Sequence, residues 1–166
     1  MNQQPLINER LFKQHSPVTS STDISEFIPY IGIAQELHIL PLLGEALTDE
    51  LCEQIAQNTL NEANSSLVLR IAPVLSFYTV YQALPFHWAT IVNKGITIRE
   101  SENSRGVDIS DLAQLRQWIK NDADVLKRQL ADFLRKNKAT YPLWTDASGC
   151  DGDNEHFDSG FYFPKR

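Results

Sequence analysis

Apolar residues along this chain recur mostly at steps of three and four, the spacing that lines one face of an α-helix. The longest run is Leu112, Leu115, Ile119, Ala123, Leu126, Leu130 and Phe133, with Arg116, Lys120, Asp124, Lys127, Arg128 and Asp132 on the other face. It predicts an amphipathic helix from Asp111 to Lys136, about 39 Å long at 1.5 Å per residue. Asp108 or Ser110 is placed to cap its start. Arg135, Lys136 and Lys138 complement the dipole at its end. Leu43, Leu47, Leu51 and Ile55 step by four and predict a shorter helix from Glu45 to Gln57. Ile24, Phe27, Ile28, Ile31, Ala34 and Leu37 predict another between Asp23 and His38. Pro29 fits only its first turn, so the regular part is expected to start near Ile28.

From Leu67 to Leu84 the chain is apolar on most sides, which predicts the central helix of the domain. Pro73 is expected in its first two turns, and Pro85 is expected to kink or end it. Asn58 to Ser66 reads as a polar connection. Ile91 to Arg99 alternates around Asn93-Lys94-Gly95, the pattern of a small hairpin. The fold expected is all-α in the main, a bundle of about four helices with a small β-hairpin and extended N- and C-terminal arms.

The ends differ from the middle. In residues 1–22, Ser16-Pro17 and the run Thr19 to Thr22 break regular structure, so this stretch reads as an N-terminal arm. Residues 23–144 form the helical domain, and 145–166 an acidic tail. Between Lys138 and Lys165 there is no lysine or arginine. Tyr141-Pro142-Leu143-Trp144 opens this stretch, Phe161-Tyr162-Phe163-Pro164 closes it, and an acidic, glycine-containing spacer lies between. Aromatic side chains gain most when a pocket receives them. Tyr141, Leu143, Trp144, Phe161, Tyr162 and Phe163 are therefore the candidate partner-binding residues.

Composition narrows the function classes. The chain has 166 residues, 42% hydrophobic and 22% charged, which suits one domain with arms. A net charge of −6 argues against a protein that grips DNA by its phosphates. Ile71 to Asn93 carries no charge and is long enough to cross a bilayer, but Pro73, Gln82, Pro85 and His87 favour a buried central helix. Met1 to Arg10 is polar, so no secretory leader is expected. Cys52 and Cys150 lie far apart and make no disulfide framework, which favours a reducing compartment.

Candidate chemistry is sparse. Asp146, Asp151, Asp153 and Asp158 are hard oxygen donors of the kind calcium prefers, but their spacing is not that of an EF-hand loop. His15, His38, His87 and His156 are scattered, with no zinc-type spacing. His38 reads as a packing residue, and His87 as either an interface or a core residue. Glu36 and Glu45 flank the first inter-helix turn, and nothing beside them marks an acid–base pair. There is no phosphate loop and no nucleophile elbow. No enzyme activity, metal or cofactor is expected.

Phe27-Ile28-Pro29-Tyr30-Ile31, Ala34-Gln35-Glu36-Leu37-His38-Ile39 and Pro41-Leu42-Leu43-Gly44-Glu45-Ala46-Leu47, followed by Leu51, carry a resemblance. The segment is similar to the opening helices of head–tail connector (adaptor) proteins of tailed phages and prophages, most of all those of Bacteroidetes phages and genomes. The likeness extends loosely through the Gly95 turn, the last helix and Tyr141 to Trp144. It implies a structural virion protein that forms a homo-oligomeric, dodecameric ring beneath the portal protein. Such a ring extends the DNA channel toward a tail or stopper protein. DNA would pass without specific binding, no membrane would be involved, and the protein would be made in the host cytoplasm and end in the virion neck. An acidic chain suits a conduit, since a negative lining does not hold phosphates. A tail-completion or minor capsid protein, or a small cytosolic helical regulator that binds a partner's helix, would share much of this pattern. Portal and terminase genes nearby would separate the connector from these.

Overall fold

The computed structural model of the chain describes residues 4–18, 22–92, 95–98 and 108–146. It is mainly α-helical: α1 (Glu9–His15), α2 (Ile28–Ala34), α3 (Leu40–Leu43), α4 (Glu45–Gln57), α5 (Glu62–Trp88) and α6 (Ile109–Lys136). A 3₁₀ turn, Ile24–Glu26, precedes α2, and a π turn, Gln35–Ile39, joins α2 to α3. Two short strands, β1 (Ala89–Val92) and β2 (Gly95–Ile98), pair antiparallel with Ala89 opposite Ile98 and Val92 opposite Gly95.

α5 is the centre of the domain. It packs chiefly on α6 and α2 and also receives α1. Leu67, Ile71, Ala72, Leu75 and Ala83 on it are fully buried. Among the described residues it is the one helix long and apolar enough to cross a membrane, and 61% of that apolar window is buried inside the domain. A central helix surrounded by others has the same composition.

Both prolines of α5 lie within the helix, and Pro85 does not end it. A proline cannot donate to the carbonyl four residues back. For Pro85 that carbonyl belongs to Tyr81, and Arg116 of α6 supplies the missing donor with an Nε–H bond of 3.3 Å. The guanidinium also lies over the Tyr81 ring, 4.2 Å from its centroid. The expected polar connection 58–66 is shorter than predicted. Asn58 ends α4 in the left-handed conformation, φ 54°, and α5 already starts at Glu62. The Asn61 side chain accepts from the Asn64 N–H at 2.7 Å. Asn64, buried, donates to Glu50 and Gln54 of α4 at 3.2 and 2.9 Å. A polar residue thus packs inward because its partners come with it.

The π turn has a similar origin. Pro41 lies four residues after Leu37 and cannot bond its carbonyl. The turn widens by one residue, and the Leu40 N–H reaches the Gln35 carbonyl five residues back. α3 then stops at Gly44, whose φ of 80° and ψ of 159° are open to glycine alone.

In the stretch 1–22, expected as an N-terminal arm, the described part packs on the domain. Leu6, Ile7 and Phe12 belong to the core. Asn8 caps α1 by accepting from the Leu11 N–H at 3.0 Å, and the Phe12 ring meets Phe27 at 5.7 Å. The Leu6 N–H donates to Gln35 Oε1 at 2.8 Å, so the π turn also anchors this segment. Asp108 stands at the N-cap of α6, but its side chain makes no capping bond.

Candidate functional site

Three regions concern function: the aromatic residues singled out in the sequence, a polar cluster between helices, and apolar side chains left in solvent.

Tyr141 and Trp144, expected to bind a partner, pack inward. Both are buried in their own domain, at 3% and 2% exposure. Tyr141 Oη donates to the Ala63 carbonyl at 2.8 Å, and its ring meets Phe133 at 5.9 Å. Trp144 Nε1 donates to the Leu42 carbonyl at 2.9 Å, satisfying one of the open carbonyls at the end of α3. No helical or strand period links these residues to the core, so their pattern carried no sign of burial. Leu143 between them stays 43% exposed. Phe161, Tyr162 and Phe163 lie outside the described residues. So do most of the acidic spacer and Cys150.

The polar cluster is built on the π turn. His38 stacks on Tyr78 of α5, and its Nε2 meets Gln82 Nε2 at 3.0 Å. Tyr78 Oη donates to Asp124 Oδ1 of α6 at 2.5 Å, and Lys120 Nζ donates to Asp124 Oδ2 at 2.8 Å. Burial, then the Lys127 charge, push His38 below its ordinary pKa. Burial, then the bond to Asp124, push the Tyr78 hydroxyl well above its own. Burial alone would raise Asp124, but the bonds from Lys120 and Tyr78 outweigh it and hold the carboxyl low. The result is a neutral imidazole, a protonated phenol and an ionised carboxylate that fasten three elements together. At the other end of α5, His87 stacks on Phe27 at 4.3 Å and pairs with Glu26 at 3.3 Å. Among the described residues no group of three or more His, Cys, Asp or Glu is placed to hold a metal ion. Cys52 is half-buried and its thiol is pushed up by burial, then by Asp49.

α6 carries two apolar rows. One, with Ile119, Ala123, Leu130 and Leu134, enters the core. The other has Leu115, Trp118 and Val125 at steps of three and seven, with exposures of 41%, 57% and 42%. Trp118 was missed in the sequence, where it fell off the row chosen for the core, and Leu115, expected in that row, lies in the outward one. The signal was present as a second row at helical spacing. A separate exposed set lies outside α6. Ile33 and Leu37, one turn apart, are 45% and 56% exposed, and Phe86, also exposed, stacks at 5.7 Å on Tyr30, which precedes Ile33 by three residues. Large exposed apolar side chains grouped in this way mark contact surfaces more often than isolated ones do.

The model of one protein family matches residues 39–154. The chain belongs to DUF6712, a family of unknown function. No curated protein and no solved structure matches the chain. The DUF6712 stretch starts at the end of the π turn and takes in α3 to α6, Tyr141 and Trp144. The outward row of α6 therefore lies inside it, while Ile33 and Leu37 precede it.

Proposed function

We propose that the protein is a structural virion component, a head–tail connector that forms a ring beneath the portal and prolongs the DNA channel toward the tail. The observation that carries this reading is the pair of apolar sets the domain leaves in solvent: Leu115, Trp118 and Val125 on α6, and Ile33 and Leu37, with Phe86 stacked on Tyr30 of α2. A ring closes through a heterologous contact, in which one patch of each copy meets a different patch of the next. Two distinct apolar patches on separate helices meet that requirement. The resemblance of Phe27 to Leu51 to connector proteins supports the same reading, and the net charge of −6 suits a conduit for DNA.

In this reading the working unit is a bundle of about four elements, α2 with its π turn, α4, α5 and α6. The polar cluster at His38 holds the bundle rigid. The portal protein and a tail or stopper protein are the partners, and Phe161, Tyr162 and Phe163 supply an anchor toward one of them. The protein has no catalytic task and acts in the neck of the virion.

The test uses Trp118→Glu and Leu37→Glu, each in a patch and away from the core. Both variants are expected to fold with wild-type circular dichroism and to lose incorporation into particles. Full incorporation of both would remove the basis of the ring.

A further inference from the structure

A groove runs along α6 on the side that faces α3. Leu42, Val125 and Ala131 give it apolar lining, and Lys127 and Arg128 line it with positive charge. Neither cation forms a salt bridge among the described residues. Asp124 also lines the groove, but its charge is already met by Lys120 at 2.8 Å and by the Tyr78 hydroxyl. The lining is therefore positive on a chain that is negative overall.

The described chain ends at Asp146, next to Arg135, which lies one helical turn beyond Ala131 of the groove. Asp146 is held by Arg135 Nε at 3.0 Å. Arg135, Ala131, Arg128 and Asp124 succeed one another at steps of four, three and four, which places them on one side of α6. Beyond Asp146 the chain is acidic: Asp151, Asp153, Glu155 and Asp158, with no lysine or arginine before Lys165. From Ala131 back to Asn121 the groove covers about 15 Å of helix at 1.5 Å per residue. The residues up to Asp158 are enough to span it more than twice over when extended, at about 3.3 Å each.

We infer that the groove between α3 and α6 receives the acidic segment 147–158 of the same chain. The carboxylates pair with Lys127 and Arg128, continuing the contact that Asp146 makes with Arg135. The segment then leads the aromatic cluster Phe161 to Phe163 along α6, away from the Arg135 end. This goes beyond the connector reading and does not depend on ring formation, since the contact lies within one copy.

The test is photo-crosslinking in the full chain, with benzoylphenylalanine in place of Val125. Equal amounts of ¹⁴N and ¹⁵N protein are mixed before irradiation, and the linked peptides are mapped by mass spectrometry. Links to residues 147–158 with both peptides of one isotope are expected. The yield should fall several-fold in Lys127→Gln/Arg128→Gln and in Lys127→Glu/Arg128→Glu. It should return when Asp151→Lys/Asp153→Lys is added to the reversed pair. Links to residues 147–158 that are of mixed isotope, the absence of links to that segment, or a yield indifferent to these charges would each overturn the inference. Circular dichroism of every variant checks that the domain is intact.

Discussion

The imidazole of His38 lies flat on the ring of Tyr78, with centroids 3.8 Å apart and planes 6° from parallel. This contact joins the π turn to α5 at the point where Tyr78 also bonds to α6 through Asp124. The turn exists because Pro41 cannot bond the Leu37 carbonyl. A single proline therefore shapes the turn that carries His38 to its place in the centre of the bundle.

This arrangement gives the domain a pH dependence in the acid range. His38 resists protonation in the folded state, whereas the unfolded chain protonates it near the ordinary value of 6.5. Its contribution to stability is full above that value and is lost as pH falls from it toward the lower folded pKa. Denaturant midpoints should be lower at pH 5.5 than at pH 7.5. His38→Phe keeps a stacking ring without a titrating proton and should reduce this difference. An unchanged difference would show that the pH dependence arises elsewhere.

Tyr78 has the opposite sign of dependence. The unfolded phenol ionises near 10, while the folded one holds its proton higher. Stability should be full below about pH 10 and decline as pH rises beyond it. In absorbance titration at 295 nm, a late-titrating tyrosine should disappear in Tyr78→Phe. At neutral pH the same variant should lose about 1.5–3 kcal/mol in urea unfolding, the usual cost of a hydrogen bond to a charged group.

Trp144→Ala should destabilise the domain by about 3–5 kcal/mol, as large-to-small changes of buried tryptophan do. Tyr141→Phe should cost about 1 kcal/mol through its bond to the Ala63 carbonyl. A docking pair would behave otherwise, leaving the melting temperature unchanged while weakening a complex.

Gln35→Leu should leave the Leu6 N–H buried without an acceptor, at a cost of about 1–3 kcal/mol. Native-state hydrogen exchange at the Leu6 amide reads this directly. Protection should fall there more than at amides in the middle of α5. Equal protection in the variant would mean that another group holds the segment.

How far these features could be read in advance depended on periodicity. α4 runs from Glu45 to Gln57, the span that the four-residue steps of Leu43 to Ile55 predict. α6 differs from its predicted start by two residues, Ile109 against Asp111. Where pairing between distant residues decides, the pattern is silent. Asn64 reads as loop until Glu50 and Gln54 come within reach of it. Pro85 reads as a kink or a stop until Arg116 supplies the missing donor. Phe12, Tyr141 and Trp144 sit in segments with no period, so their burial comes from tertiary contacts alone. The candidate surface was half legible for the same reason. One apolar row on α6 was evident, and the second, with Trp118, was hidden by polar neighbours such as Asp122.

The exposed row should matter for association and little for folding. Trp118→Ser is expected to shift unfolding stability by less than about 0.5 kcal/mol, as surface substitutions do. Sedimentation at high protein concentration, or in the presence of a portal ring, should show weaker association than wild type. A large loss of stability would place Trp118 in the fold rather than at a contact.

Whether copies of this chain close into a ring on a portal platform is decided by the mass of the complex they form with a portal ring, read by native mass spectrometry. A discrete species is expected, in which many copies, twelve for a dodecameric ring, add to the portal together with few partial occupancies. A single added copy, or a portal mass unchanged by the protein, would rule the ring out.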